Sequence, residues 1–596
     1  MPHGIRKPKV LLLGLDGFDP KILENLMGPG ELPNFARLAE NGFYSPLETV
    51  FPPQSPVVWT TIATGRAPAE HGIADFLTRE PGDYLPKLAI LRQGKLGYLR
   101  PYPTQTFWER ASENGIPATI LKWPLTFPAT PILGRTLSGL GTPDLRGTLG
   151  RYTFFTSRQL PAANDKKGTI VQVHPAGGTI KTSLTGPFTF SLQGTRPAAV
   201  PLEIELAAGK ISCRLGDTFL YLAEGAWSDW IQVDFKVGFL RTVRGMVRFY
   251  LESIAPDFNL YATPVNISSE TQSLPISYPL GYARKLAAAI GNYATLSLPE
   301  DANALKDLVL SEAAFLSGCD LIMGERERTF FHALQDFKEG ILACIFDTPD
   351  RLQHMFWRFL DPDHPLYDER QALAFGDVIP GIYRRLDGIL GQTLNRADRD
   401  TLVLVCSDHG FASFQWSVHL NSWLVENGFM ALNPGLSAGR DLFRDVDWAK
   451  TSAYALGLNS LYVNLKGREG QGFVEPGARP GLRQDLVRKL LAWSHNGRPV
   501  IKAVDVPEAS ADLQSEGRAP DLIVGYDEGY RASWETAVGG APAGAVVQAN
   551  RDKWSGDHCC APGLVPGIFL SSAKNLLRRP HVQELCPAIL DYLGIS

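Results

Sequence analysis

Short apolar runs alternate with amphipathic segments at both ends of the chain. The apolar runs predict strands at 10–15, 118–121, 340–346, 401–406, 521–525 and 567–570. A period of about 3.6 residues predicts helices that include 32–41, 379–395 and 484–493. Strands without polar interruptions are typical of a parallel sheet that helices cover on both faces. The pattern therefore predicts an α/β fold with a mostly parallel sheet flanked by helices.

The middle of the chain has a different pattern. From about 168 to 264, apolar and polar residues alternate between glycines and prolines, which predicts an antiparallel β insertion. A second, irregular insertion is predicted between the later core segments. The predicted division is core 1–150, a β-rich lid or substrate-shaping insertion 151–280, core 281–430, a second insertion near the site 431–497, and core 498–596.

Composition limits the class of protein. With 596 residues, 44% apolar and 20% charged, the chain has the composition of a globular protein of several domains. The net charge is -4 and no long basic run occurs, so nucleic acid is not expected as a structural partner. No window has the ~18 consecutive apolar residues of a membrane span. The sequence leaves the oligomeric state open.

The location of the protein is predicted from its first residues and its cysteines. The apolar run 10–15 is shorter than the core of a secretory signal and ends on Asp16. The seven cysteines have no disulfide-framework spacing. We therefore expect a cytoplasmic protein.

Ser55 lies at the start of a predicted helix. Pro56 follows it directly and suits the first turn of a helix, which predicts Ser55 as the N-cap, beside backbone N–H groups that could bind an anion. A serine in this position is often only a cap, so this segment by itself leaves a structural and a catalytic role open. Three threonines, Thr60, Thr61 and Thr64, lie further into the helix and are weaker nucleophile candidates.

Acidic residues and histidines follow several predicted strands. The candidates are Asp16 in GLDGFD, Asp350 and His354 in TPDRLQH, Asp408 and His409 in SDHGF, and His558 in SGDH. Ligands bind at the carboxyl edge of an open α/β sheet, so these residues are expected to converge there. Any one of them could be a turn residue or a buried polar residue. Together, three Asp and three His could hold two divalent cations. Cys559 and Cys560 are interpreted as small packed residues rather than ligands.

The ordered set GLDGFD, SPVVWTTIATG, TPDRLQH, SDHGF and SGDH resembles the alkaline phosphatase superfamily, in its type I phosphodiesterase/nucleotide pyrophosphatase branch. The resemblance covers about 9–143, 319–423 and 499–596. It implies an alkaline-phosphatase-like fold with two divalent ions, Zn²⁺ with Mn²⁺ as the alternative. It also implies a ligand set, with Ser55, the nucleophile, on one ion together with Asp16, Asp408 and His409, and with Asp350, His354 and His558 on the other.

The chain departs from the family at the nucleophile. Many nucleotide pyrophosphatases have a motif that resembles Thr-x-Pro-Asn at this position. Here Val58 takes the place of the Asn, so the side-chain amide that would bind phosphate is absent. We consider three substitutes for that donor: Lys122, Asn550 and Lys553. Trp59 stands where a sulfatase has arginine, which disfavours sulfate esters. Apolar Val57, Val58 and Trp59 favour the organic substituent of a phosphodiester.

We therefore predict a two-metal hydrolase of small phosphate esters, a phosphodiesterase or nucleotide pyrophosphatase that acts through a phosphoseryl intermediate. Two alternatives remain open. One is a phosphomonoesterase or phosphotransferase related to the cofactor-independent phosphoglycerate mutases. The other is a non-catalytic homologue that binds metal.

Overall fold

The computed structural model describes residues 8–95, 97–159, 167–191, 194–508 and 517–595. The chain divides into two compact units. The first contains Met1–Ala118 and Lys338–Ser596, and the second contains Thr119–Phe337. The predicted β-rich insertion, 151–280, falls inside the second unit, while the predicted domain boundaries themselves stay predictions.

A mixed sheet forms the centre of the first unit. The strands of this sheet that lie wholly in the first unit are, in order, Phe43–Leu47, Gly567–Ser571, Thr401–Cys406, Lys9–Leu15 and Gly340–Phe346. The last three are parallel, whereas the first two run antiparallel to their neighbours. Every residue of the strands that start at 340 and 401 is buried, as expected for strands covered on both faces. The predicted α/β class is confirmed.

The three parallel strands end at the same level. Leu15 pairs with Phe346, and Gly14 pairs with Cys406. The segments that follow these strands therefore leave the sheet at one edge. This register brings the loops that begin at Asp16, Asp347 and Ser407 together, although they are far apart in sequence.

Helices and smaller sheets cover the central sheet. The α-helices of the first unit are Pro20–Met27, Pro33–Asn41, Ser55–Thr64, Pro68–His71, Phe107–Glu113, Thr348–Phe356, Glu369–Phe375, Val378–Arg396, Leu420–Glu426, Arg479–Leu491, Trp534–Ala537 and Leu585–Tyr592. Its 3₁₀ turns are Trp357–Phe359, Trp448–Lys450, Pro476–Ala478, Pro562–Leu564 and Val582–Glu584. Its remaining strands are Leu77–Glu80, Asp83–Leu88, Arg92–Gly94, Gly97–Leu99, Ala412–Val418, Ala453–Ala455, Ser460–Val463, Ser494–His495, Arg498–Pro499, Ile501–Asp505, Leu522–Tyr526, Gly529–Ala532, Val547–Ala549 and Gly556–Asp557.

The helix Ser55–Thr64 is buried at all ten of its positions. It ends at Gly65, which has φ +67°, a left-handed conformation that glycine adopts at little cost. A helix without an exposed face is fixed on all sides by packing. It can therefore hold a side chain at its first residue in one position.

The second unit is rich in β structure. Its sheets are mainly antiparallel, as predicted for this part of the chain, but Thr169–Gln172 pairs in parallel with Thr153–Thr156. The strands are Ala118–Leu121, whose first residue ends the first unit, Gly134–Leu137, Thr153–Thr156, Thr169–Gln172, Thr179–Ser191, Gly194–Ala207, Lys210–Leu215, Thr218–Ala223, Ile231–Lys236, Thr242–Val247, Phe249–Ser253, Asn259–Ala262, Asn266–Ile267 and Ser277–Tyr278. The helices are Tyr282–Ile290, Ala302–Lys306 and Glu312–Asp336.

Two further features bear on the predicted location. Within the described ranges, no helix combines the length and the apolar character that crossing a membrane requires. The seven cysteines are buried free thiols.

Candidate metal centre

Ser55 is the first residue of its helix, not the N-cap that the sequence predicts. The N-cap is Gln54, whose carbonyl accepts hydrogen bonds from the N–H groups of Val57 and Val58 at 2.8 and 2.9 Å. The Ser55 hydroxyl instead donates to Asp16 Oδ1 at 3.2 Å. The cap prediction is wrong because the helix begins one residue earlier, which turns the Ser55 side chain toward the acidic cluster.

The three competing hydroxyls bond within their own helix. Thr60, Thr61 and Thr64 donate to the carbonyls of Pro56, Val57 and Thr60, respectively, four residues earlier in each case. Such back-bonding holds a hydroxyl against the helix. Ser55 is therefore the hydroxyl of this helix that contacts the acidic cluster.

Asp16, Asp408 and His409 form the first group of possible metal ligands, with ligand atoms within 4.8 Å of one another. His409 Nε2 lies 3.0 Å from Asp408 Oδ2 and 3.2 Å from Ser55 Oγ. The indole N–H of Trp59 donates to Asp16 Oδ2 at 3.1 Å. This group matches the set of residues predicted for one ion, together with Ser55.

A second group lies around Asp350. Asp350, His409 and His558 also place ligand atoms within 4.8 Å of one another. Asp350 Oδ1 lies 3.2 Å from His354 Nε2 and 3.6 Å from His558 Nε2, so both predicted histidines approach this carboxylate. The His409 ring stacks on that of His558 at 3.6 Å. His409 thus lies between the two groups, and the division of ligands between two ions stays a prediction.

The three histidines have the same orientation. The Nδ1 atoms of His354, His409 and His558 lie 2.7, 3.1 and 2.6 Å from the backbone carbonyls of Gly556, Gly410 and Pro53. Because a carbonyl only accepts, each Nδ1 carries a hydrogen, and the Nε2 lone pair faces the carboxylates. Histidines that bind metal in proteins are commonly oriented in this way.

The histidine Nε2 atoms and the carboxylate oxygens of the centre are therefore all hydrogen-bond acceptors that face one another. Asp350 Oδ1 and Asp408 Oδ2 are buried, and no described residue donates a hydrogen bond to either oxygen. Within the described ranges, no lysine or arginine forms an ion pair with Asp16, Asp350 or Asp408. A buried carboxylate beside an imidazole lone pair needs a proton or a cation between them. The oxygen and nitrogen donors fit divalent cations such as Zn²⁺ or Mn²⁺.

Burial and crowding shift the ionisation of the cluster. Burial and the charges of Asp408 and Asp350 raise the pKa of Asp16 well above its usual value. Burial also opposes ionisation of Asp350, but attraction to the protonated forms of His354 and His558 outweighs it and holds the pKa of Asp350 below its usual range. Burial and the neighbouring His409 lower the pKa of His558 to about 3. These opposite shifts are typical of a functional site.

Asp557 supports the centre from behind. Its Oδ1 accepts the N–H groups of His558 and Cys559 at 2.8 Å, and its Oδ2 accepts the indole N–H of Trp554 at 2.7 Å. Arg531 Nε lies 2.9 Å from the same Oδ2. Asp557, His558 and Cys559 are also close enough to hold an ion, but the Asp557 carboxylate is already engaged. Burial raises the pKa of the Cys559 thiol, which opposes the thiolate form that metals bind.

The turn after Asp16 passes close to the Phe411 ring and to the helix at Asp350, which requires glycine at position 17. Gly17 has φ +70°, and a Cβ there would lie 2.6 Å from the Phe411 ring and 3.2 Å from the Asp350 Cα. A larger residue would press against the Phe411 ring and against the helix that carries Asp350. The glycine thus contributes to the geometry of the site.

The structure places the three predicted substrate-binding residues in different surroundings. The Asn550 amide donates to the carbonyls of Phe414 and Trp554, both at 2.8 Å, so both of its hydrogens are engaged. Lys122 lies in the second unit, where its Nζ donates to the Ala294 carbonyl at 2.8 Å. Lys553 is half-buried. Their roles toward a substrate stay predictions.

The predicted apolar wall beside Ser55 is not exposed. Val57, Val58 and Trp59 are all 0% accessible, because the helix is enclosed on every side. Trp59 contributes by its hydrogen bond to Asp16, a role that its i+4 spacing from Ser55 could have indicated. Asp557, which supports His558, was not predicted either, although it directly precedes His558 in SGDH.

Two solved structures are similar to the chain at low sequence identity. The chain has 13% identity to the Sinorhizobium meliloti phosphonoacetate hydrolase crystallised with phosphonoformate, over 99% of this chain and 96% of that one, with a TM-score of 0.46. It has 12% identity to an inactive murine ectonucleotide pyrophosphatase/phosphodiesterase 5 in complex with AMP, with the same coverage and a TM-score of 0.39. No curated protein sequence matches it.

A family model gives the stronger result. The model of type I phosphodiesterase / nucleotide pyrophosphatase matches residues 10–192 and 281–540, which is more than half of the chain. These residues include Ser55 and every predicted ligand except His558. The chain therefore belongs to the type I phosphodiesterase/nucleotide pyrophosphatase family and is a phosphoric ester hydrolase.

Proposed function

We propose that the protein hydrolyses phosphodiesters with Ser55 as the nucleophile and two divalent cations as cofactors. One observation carries the proposal: the Ser55 Oγ lies 3.2 Å from both Asp16 Oδ1 and His409 Nε2, within a buried cluster of carboxylates and imidazoles. A serine hydroxyl is a weak nucleophile unless a base or a metal activates it. Ser55 is the residue of this helix whose hydroxyl has a carboxylate and an imidazole of the cluster as neighbours.

Two ligand groups would hold the ions. Asp16, Asp408 and His409 would bind one ion near Ser55, and Asp350, His354 and His558 would bind the other. When bound, the two cations favour the alkoxide of the serine and offset negative charge in the transition state. The mixed oxygen and nitrogen donors suit Zn²⁺, with Mn²⁺ as the alternative.

The residues of the chain act on the serine. The hydroxyl proton of Ser55 has two acceptors, Asp16 Oδ1 and His409 Nε2. As that proton leaves, the Oγ–P bond forms and the bond from phosphorus to the leaving oxygen breaks, which gives a phosphoseryl enzyme and an alcohol or phosphate product. Water then attacks phosphorus, the Oγ–P bond breaks, and Ser55 regains its proton. The N–H of Trp59 keeps Asp16 oriented throughout.

The substrate is proposed to be a diester with an aryl or nucleoside substituent, as in the nucleotide pyrophosphatases. Trp357 and Trp554 are partly exposed, and the Trp554 ring lies 3.8 Å from the ring of His354. Such rings can stack on a base or a phenyl group. In this proposal, Trp357 and Trp554 supply the apolar contact to the substrate that the buried Val57, Val58 and Trp59 do not.

We also propose a cytoplasmic location, with which seven free thiols are consistent.

Substitution of the nucleophile tests the proposal. Ser55→Ala should lower hydrolysis of bis(4-nitrophenyl) phosphate at least about a thousandfold, because the attacking oxygen is lost. Thr60→Val is the matched control, since it removes a hydroxyl from the same buried helix without touching the cluster. Metal content by elemental analysis and circular dichroism establish that both variants are folded and loaded.

Three outcomes would count against the proposal. Near-wild-type turnover by Ser55→Ala would exclude the serine as nucleophile. A wild-type preference for 4-nitrophenyl phosphate over the diester would replace the diesterase proposal with a phosphomonoesterase. Inactivity of the metal-loaded protein on monoester, diester and sulfate ester would favour the non-catalytic homologue.

A further inference from the structure

Arg351 is a buried cation whose guanidinium donates no hydrogen bond to any described residue. Its side chain is 8% exposed, and its Nε is buried without a partner among the described residues. Across the described ranges, no carboxylate lies within ion-pair distance of its guanidinium and no group accepts a hydrogen bond from it. Its charge acts at longer range on Asp350, where it helps to lower the pKa of that carboxyl. An unpaired buried donor is costly and calls for an explanation.

A second buried arginine close by shows that this is not a general property of the segment. Arg358 is 3% exposed, and its Nη1 donates to the carbonyls of Met355 and Lys553. Among the described residues, the fold therefore supplies hydrogen-bond acceptors to the guanidinium of Arg358 but not to that of Arg351. Arg351 is the one that directly follows the predicted ligand Asp350.

A row of ring contacts links Arg351 to the centre. The Arg351 Cζ lies 5.2 Å from the centroid of the Trp554 ring. From there the ring distances are 3.8 Å for Trp554 and His354, 5.2 Å for His354 and His558, and 3.6 Å for His558 and His409. His409 is the residue that contacts Ser55. Arg351 and Ser55 thus stand at opposite ends of the row.

We propose that Arg351 binds a second anionic group of the substrate, a carboxylate or a phosphate carried on the substituent beyond the reacting phosphorus. This rests on the phosphodiesterase function proposed above. The reacting phosphorus must lie within about 3–3.5 Å of the attacking Ser55 Oγ. Among the described residues, no hydrogen bond, ion pair or ring contact joins Arg351 to Asp16 or His409, the two residues that contact the Ser55 hydroxyl. A guanidinium matches a carboxylate or phosphate with paired N–H groups. The Trp554 ring between them suits an aromatic linker.

Two probes that differ in one charge test this. They are 4-nitrophenyl 4-carboxyphenyl phosphate and its carboxamide, 4-nitrophenyl 4-carbamoylphenyl phosphate, which has nearly the same shape without the charge. The measured quantity is the ratio of kcat/KM for carboxylate over carboxamide. The wild type should favour the carboxylate about tenfold or more, and Arg351→Gln should bring the ratio close to one. Arg351→Lys should restore part of it, and Arg358→Gln is the control that should keep the wild-type ratio.

A wild-type ratio near one, or an unchanged ratio in Arg351→Gln, would overturn the proposal whatever the absolute rates. Titration calorimetry with 4-carboxyphenyl phosphate and 4-carbamoylphenyl phosphate gives a readout that needs no turnover. If the protein cleaves neither diester but Arg351→Gln abolishes tighter binding of the carboxylate, the phosphodiesterase function fails and the role of Arg351 stands. Equal binding of the two monoesters by the wild type would refute that role as well.

Discussion

The replacement Asp557→Asn tests whether Asp557 positions the metal centre or binds metal itself. The carboxylate accepts hydrogen bonds from Trp554 and from two backbone N–H groups, and it pairs with Arg531 at 2.9 Å. An asparagine keeps the shape but replaces one oxygen with NH₂. That amide cannot accept from both the indole and the backbone groups, and it leaves Arg531 without its counter-charge.

The size of the effect follows from burial. The side chains of Asp557 and Arg531 are 5% and 2% exposed. Removing one partner of such a pair costs about 3–5 kcal/mol, because the other charge remains buried. The loop that carries His558 loses its support at the same time. Loss of a group that orients a ligand typically weakens metal binding by about 10–100-fold.

Two measurements follow from this reasoning. Competition with a chromophoric chelator gives the affinity of each metal equivalent, and urea unfolding of the chelated protein gives the change in unfolding free energy. We expect two equivalents at saturating metal, with the weaker one reduced about 10–100-fold. Asp552→Asn is the control, because Asp552 accepts from two neutral donors near the same loop, the Trp534 indole and the Trp554 backbone N–H. Its cost should be below about 1 kcal/mol.

Either of two results would refute the argument. If Asp557→Asn lost one equivalent even at saturating metal, Asp557 would be a ligand and not a positioning residue. If affinity stayed at the wild-type level and the unfolding free energy changed by less than about 0.5 kcal/mol, the buried pair would not support the site. A double-mutant cycle with Arg531→Met measures how strongly the two side chains are coupled.

Two other predictions concern stability. Burial lowers the pKa of His71 to about 3 in the folded protein, against about 6.5 in the unfolded chain. Its contribution to the stability of the folded state is therefore complete above about pH 6.5 and is lost as the pH falls toward 3. Between pH 6.5 and 5 this should cost the wild type about 2 kcal/mol that His71→Gln does not lose, and parallel urea curves for the two proteins would contradict it. Glu469 and Arg79 form an ion pair at 2.5 Å with both side chains 0% exposed. Glu469→Gln should destabilise the protein by about 3–5 kcal/mol. A change below about 1 kcal/mol in the unfolding free energy would show that the Tyr454 hydroxyl and the Gly517 carbonyl, which also accept from Arg79, suffice without the counter-charge.

The order and type of the core elements were predictable because they depend on neighbouring residues. Apolar runs marked the strands Lys9–Leu15, Gly340–Phe346 and Thr401–Cys406 to within one residue. Since parallel strands end at one edge, the acidic residues after them were expected to meet. The structure brings Asp16, Asp408 and their partners together, as that argument requires.

Tertiary structure decided what depends on partners distant in the sequence. His558 Nδ1 lies 2.6 Å from the carbonyl of Pro53, 505 residues away, and this contact sets which nitrogen faces the centre. The pairing of Asp557 with Arg531 and the absence of acceptors around Arg351 in the described residues also have no local signal. Ser55 shows the same limit. Local rules predicted a cap, and only the packed helix directed its hydroxyl to Asp16, because a side chain's partners are set by every segment packed around it.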